Sequence, residues 1–181
     1  GTPGALLTML VVSLLEGIVD EGICNDTSCI MWQLDNQLHM LLSGEEQGSI
    51  VDIKDGCDLA LIFIDNAGKM TLSTAQTNIF ICDGKSVSRI RGQKLRIGEG
   101  RIDEPSAIKQ YSLALTPEHK VYSATDGLYD QIGGRQGVSF GYRRFQELIL
   151  REHDRKAAET AAIIWDTFEE YRGDNIRRDD V

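Results

Sequence analysis

The residues best suited to chemistry are aspartates. Asp126 closes Val121-Tyr122-Ser123-Ala124-Thr125-Asp126 and is followed by Gly127. Val121 and Tyr122 favour a strand, and a glycine accepts backbone angles that other residues resist, so the pattern predicts a strand running into a turn. A carboxylate at the end of a rigid strand suits a hard cation. Asp174, Asp179 and Asp180, in Gly173-Asp174-Asn175-Ile176-Arg177-Arg178-Asp179-Asp180-Val181, offer a second half for such a site. Asp-Gly is also an ordinary turn dipeptide. Spacing alone leaves Asp126 as either a turn former or a ligand.

The elements that would position these groups follow from periodicity. Thr2 and Pro3 open a helix whose apolar residues, from Leu6 to Val19, leave almost no polar face. Such a helix is expected to be covered on both sides, one by a sheet and the other by a second helix, a partner subunit or an upstream domain. Gly22 closes it, Asp26-Thr27-Ser28 offers caps for a second helix through Leu42, and Gly44 ends that one. Glu45 to Asp55 reads as a surface loop.

From Cys57 the period changes to that of strands. Leu59 to Ile64, a turn at Asp65-Asn66-Ala67-Gly68, and Met70 to Ala75 form one expected hairpin. Asn78 to Cys82 and Ser86 to Ile90 form another around Asp83-Gly84, and Lys94 to Pro105 reads as irregular. Gln110 to Leu115 and His119 to Ala124 are expected to pair antiparallel across Pro117. Gly133 to Gly141 reads as a loop, and two helices follow, the second stopping before Gly173. Antiparallel strands bracketed by helix pairs predict an α+β fold with sheet packed on sheet and helices outside.

The chain has 181 residues, enough for one compact domain, and no internal repeat or domain boundary is visible in it. Its 28 acidic side chains exceed the 19 basic ones, which argues against a nucleic-acid partner. The run from Ala5 to Leu15 is too short for a membrane span and lacks the flank of a signal peptide, so no membrane contact by this domain is expected. Cys24, Cys29, Cys57 and Cys82 lack zinc-ligand spacing and read as reduced thiols, which suits a cytoplasmic domain whose parent protein carries any anchor elsewhere. His39, His119 and His153 are scattered and read as solvated. Gly133-Gly134 lacks the lysine of a phosphate-binding loop, and Gly98-Glu99-Gly100 is too short for a dinucleotide fingerprint.

The match to a known pattern runs past the Asp-Gly pair. Thr125-Asp126-Gly127-Leu128-Tyr129-Asp130-Gln131, then Gly133-Gly134, then Phe140-Gly141-Tyr142-Arg143-Arg144-Phe145 resembles the metal-dependent PPM (PP2C-like) phosphatases. Within them it is most similar to the bacterial SpoIIE/RsbU branch and its sensor-linked phosphatase domains. Arg178-Asp179-Asp180-Val181 resembles that branch's closing aspartate motif, and Gly1-Thr2-Pro3-Gly4-Ala5-Leu6-Leu7-Thr8-Met9 the segment after its first one. The resemblance implies an αββα sandwich of two antiparallel sheets flanked by helix pairs. It implies two Mn2+ or Mg2+ ions, with Asp126 and Asp179 as ligands acting through activated water, and no covalent phospho-enzyme. Asp180, Asp130, Asp58 and Gly127 would support the site from behind; the plain alternatives are a solvated carboxylate for Asp180, a surface hydrogen bond for Asp130 and a strand-edge charge for Asp58, while Asp174 reads as a turn or helix-end residue.

The resemblance further implies a protein serine/threonine phosphatase in bacterial signalling. Its substrate would be a small phosphorylated regulatory protein of the anti-sigma-factor-antagonist type. An upstream sensor or regulatory domain and a homodimer through residues 3–43 complete the expected partners. Family members carry an aspartate followed by Gly-His-Gly just before the segment matching Thr2 to Met9, and a strand beyond the closing aspartates. Residues 1–181 are therefore expected to be a single phosphatase domain truncated at both ends, without the first Asp-x-x-Gly-His motif and the last strand. The alternatives are a catalytically inactive pseudophosphatase that captures such a partner without hydrolysis, or a dimerisation module driven by the first helix pair.

Overall fold

The computed structural model describes residues 2–22, 24, 26–43 and 56–181; the loop expected from Glu45 to Asp55 lies outside them. The chain divides into two compact units, Gly1–Thr77 with Arg91–Leu115, and Asn78–Ile90 with Thr116–Val181.

In the first unit, α1 (Thr2–Asp20) packs on α2 (Thr27–Ser43), and α2 packs on a three-stranded antiparallel sheet of order β1-β2-β5. The strands are β1 (Leu59–Ile64), β2 (Lys69–Ala75) and β5 (Gln110–Ala114). Met31, Leu34 and Leu38 recur at helical spacing and bury the inner face of α2 beside Ala75, Ile97 and Ile108. Buried Thr27 and Ser73 share a hydrogen bond between their hydroxyls at 2.9 Å, so neither polar group is left alone in the core. Among the described side chains of α1, Val11 and Ile18 alone are buried, and Leu6, Met9, Val12 and Val19 are exposed. The apolar residues lie all round the helix, but within this unit only one side finds a neighbour.

The thiols also differ from expectation. Asp26 Oδ1 accepts hydrogen bonds from the Ser28 hydroxyl at 2.6 Å and the Cys29 amide at 2.8 Å, curling the chain at the start of α2. That curl brings the Cα atoms of Cys24 and Cys29 to 5.6 Å, and a disulfide joins them. Cys57 and Cys82 are free. Burial, reinforced by the Asp58 carboxylate, pushes the Cys57 thiol up to about 11, so it stays protonated at neutral pH.

In the second unit the sheet order is β4-β3-β6, from β3 (Ile79–Cys82), β4 (Val87–Ile90) and β6 (Lys120–Ser123). The strands before and after Pro117 therefore do not pair with each other. β5 pairs with β2, and β6 pairs with β3, placing Phe80 opposite Tyr122. A short helix, α3 (Asp126–Asp130), replaces the expected turn, and the glycine-rich stretch forms a small hairpin of β7 (Ile132–Gly133) and β8 (Val138–Ser139). Helices α4 (Gly141–Arg151) and α5 (Ala157–Arg172) complete the unit, with Gly173 ending α5. The core is aromatic: the Phe145 ring stands edge-on to Phe80 at 5.0 Å and to Tyr129 at 5.5 Å. Such edge-to-face pairs contribute about 0.5–1.5 kcal/mol each beyond the area they bury. Among the described residues no helix is long and apolar enough to cross a membrane.

Candidate active site

Strand β6 ends at Ser123, and Thr125 stays extended (φ −68°, ψ 161°) before Asp126 begins α3. Leu128 and Tyr129 are buried, with the Tyr129 ring 4.5 Å from that of Tyr142. One side of α3 is thereby locked into the aromatic core, and Asp126 and Asp130 remain exposed. Burial holds the Tyr129 phenol far above its usual range, so it acts as a neutral wedge.

The feature that makes this a site is the close approach of residues 179–180. A Cβ on Gly127 would collide with the Asp180 carbonyl oxygen and lie 3.2 Å from the Asp179 carbonyl carbon. Gly127 is not among the glycines with positive φ, so it serves by lacking a side chain and not, as expected, by backbone freedom. Thr125 occupies the N-cap position of α3 but makes no side-chain bond to the helix. Its hydroxyl donates instead to the Asp180 carbonyl at 2.8 Å. Asp179 Oδ1 accepts from the Asp180 amide at 2.8 Å, which fixes one oxygen of that carboxylate.

The structure thus joins the Asp126-Gly127 segment to Asp179-Asp180. Asp174 is exposed just after α5 and has no part in the contacts that form that junction. Asp130 sits at the far end of α3 from Asp126. Asp58 belongs to the first unit. Gly133 and Gly134 serve packing: the Gly134 amide donates to the Tyr171 carbonyl at 2.8 Å, and a Cβ on Gly133 would strike the same oxygen. His153 is not simply solvated, since its Nδ1 lies 3.3 Å from the buried Cys82 sulfur.

Two groups escaped sequence reasoning. Gln131 is fully buried and bonded to residues 176 and 178. Glu169 receives hydrogen bonds from Arg172 at 2.6 Å and Arg177 at 2.8 Å, which hold its carboxyl below the usual range. The sequence offered position alone: Gln131 closes the first quoted aspartate motif, and Arg177, which holds Glu169, stands just before its counterpart.

The model of the family described as Stage II sporulation protein E (SpoIIE) matches residues 1–181. The chain belongs to the SpoIIE family. Among solved structures, it is similar to the SiaA-PP2C domain of Pseudomonas aeruginosa, at 27% identity and a TM-score of 0.84. That match covers 99% of this chain and 68% of the other. It is also similar in fold to the PP2C phosphatase domain, with a fragment of the regulatory domain, of the cell fate determinant SpoIIE from Bacillus subtilis. There the identity is 18% and the TM-score 0.62, over 90% of this chain and 44% of that one. A comparison with curated protein sequences gives no match. The antiparallel sheets and helix pairs are therefore those of a PP2C-type phosphatase domain.

This family is generally metal-dependent, and the donor chemistry at the junction can be set against that. Asp126 and Asp179 offer carboxylate oxygens only, the donor type that magnesium and manganese prefer. Among the described residues no three His, Cys, Asp or Glu side chains cluster as a ready-made metal cage. Two such carboxylates are a donor set suited to a hard cation that keeps much of its shell as water, as magnesium characteristically does.

Proposed function

We propose that this SpoIIE-family domain is a Mn2+- or Mg2+-dependent protein serine/threonine phosphatase in bacterial signalling. Its substrate in this reading is a small phosphorylated regulatory protein. The observation that carries the reading is the seating of Asp179-Asp180 against Gly127, which brings two aspartate segments that resemble the family's motifs to one place. Asp126 and Asp179 would hold the cations, whose chemistry is to offset charge on the phosphoryl group and to make water a better nucleophile. The chain's own contribution is positional. Tyr129 and Leu128 anchor α3, Gly127 leaves room for the Asp180 carbonyl, and the Thr125 hydroxyl fixes that carbonyl. Reacting groups held within about half an ångström of the productive geometry are what such a site requires.

The test is phosphate release from a phosphoserine peptide with manganese present, comparing wild type with Asp126→Asn. Loss of a group that supports a metal costs about 10- to 100-fold, and loss of a ligand should cost at least that. Asp126 is exposed, so the variant should melt at an unchanged temperature. A folded variant with normal turnover would remove Asp126 from the site. Inactive wild-type protein, with manganese binding intact, would favour a partner-binding module instead.

A further inference from the structure

We infer that Gln131 is a positioning residue: its buried side-chain amide fixes where Asp179 and Asp180 stand relative to Asp126. The inference rests on the proposed function, since it concerns the placement of the same aspartates.

Gln131 has no exposed surface, and an uncharged amide buried without partners is strongly unfavourable. It has three partners. Nε2 donates to the Ile132 carbonyl at 2.9 Å and to the Ile176 carbonyl at 3.1 Å, while Oε1 accepts from the Arg178 amide at 3.2 Å. A carbonyl at one residue and an amide two residues on are the groups a strand offers to a parallel neighbour. The Gln131 side chain stands in for that neighbour. Its own backbone is held as well, because its carbonyl accepts from the Phe140 amide at 2.9 Å.

The same stretch is gripped from its other side. Arg177, between the two residues that Gln131 holds, donates to Glu169 at 2.8 Å and lies over the Trp165 ring at 5.0 Å. Residues 176–178 are thus fixed on both sides immediately before Asp179. Gln131 follows the last residue of α3, the helix that begins with Asp126. One buried amide therefore links the two aspartate segments, and its rigidity passes to both.

The test uses Gln131→Met, which keeps the length and bulk of the side chain while removing its hydrogen bonds. Amide hydrogen exchange reads the link directly. In wild type, the Arg178 amide should exchange at least about a hundredfold more slowly than in unfolded chain, as an amide bonded to a buried acceptor does. In Gln131→Met that protection should vanish while amides of β3 and α4 keep theirs. Manganese affinity by calorimetry should fall about tenfold or more, as for other groups that orient metal ligands.

Unchanged affinity in a folded Gln131→Met protein would overturn the positioning role, and so would an unprotected Arg178 amide in wild type. If Gln131→Met does not fold, wild-type exchange at Arg178 still decides whether the link exists. Absence of manganese binding by wild type would instead defeat the proposed function, with the exchange data left to judge the link by itself.

Discussion

The second unit contains two Asp-Gly pairs that the sequence presents alike, and the structure uses them in opposite ways. Asp83-Gly84 turns the hairpin between β3 and β4. There the Asp83 carboxylate accepts from the Lys85 amide at 2.8 Å and the Ser86 amide at 2.7 Å, and Gly84 sits at φ +83°. The carboxylate of that pair serves its own turn, and the glycine supplies the left-handed backbone of that turn while leaving room for the His153 ring. At Asp126-Gly127, no protein donor among the described residues reaches the carboxylate, and the glycine is needed for volume because the Asp180 carbonyl fills the space of a side chain. A carboxylate occupied by local amides is a turn former. One left open, beside a glycine that admits a distant segment, is a candidate ligand.

The sharpest way to break this comparison is Gly127→Ala. Helical φ and ψ accommodate alanine well, so the cost is the collision with Asp180 alone. Backbone that must shift for an added methyl typically costs about 1–3 kcal/mol. That strain is relieved most easily by lifting residues 179–180, since the rest of the contact is α3 in its aromatic bed. We expect metal-dependent phosphate release to fall about a hundredfold, the upper end for groups that support a metal site, with a modest fall in melting temperature. Full activity in Gly127→Ala would mean that the close approach is not needed.

Gly84→Ala should do the reverse. An alanine there takes up left-handed backbone, at about 1–2 kcal/mol, and its Cβ would come 2.9 Å from the His153 ring. Denaturant unfolding should show the loss as a lower midpoint at unchanged slope. Turnover per folded molecule should stay as in wild type. If activity fell in step with Gly127→Ala, the two pairs would not be functionally separate.

Much of this was legible because it is local. The β1–β2 hairpin announces itself through Asp65 to Gly68, whose Asp65 Oδ1 accepts from the Ala67 amide at 2.9 Å and the Lys69 amide at 2.8 Å. The aspartate motifs were visible as residue types in a known order. Pairing was not legible wherever it is non-local. The segment around Pro117 looks like a hairpin turn, yet the chain passes there from one unit to the other, and each strand finds a partner earlier in the sequence. On α1, composition could show apolar character but not which residues meet α2. Gln131 was invisible as an anchor because its partners lie 45 and 47 residues away, and nothing about a single glutamine predicts that.

The smallest effect expected is also the one that most refines the contrast, because it depends on pH and not on metal. Hydrogen bonds from the Lys85 and Ser86 amides favour the charged form of Asp83, so its folded pKa lies below that of an ordinary aspartate. A carboxylate with a depressed folded pKa contributes stability that is fully present above its unfolded pKa. That contribution is lost as pH falls through the folded value. Wild type should therefore be more stable than Asp83→Ala at neutral pH, and the gap should shrink only below about pH 4, where an unperturbed aspartate begins to protonate. Urea unfolding of both proteins at neutral pH and near pH 3 measures this, and titration of the Asp83 carboxyl carbon by NMR gives the direction of the shift independently. Manganese affinity should be the same in the two proteins at neutral pH. A gap that does not change with pH would show that the carboxylate's charge has no part in the turn, and altered metal binding would show that Asp83 is not confined to its hairpin.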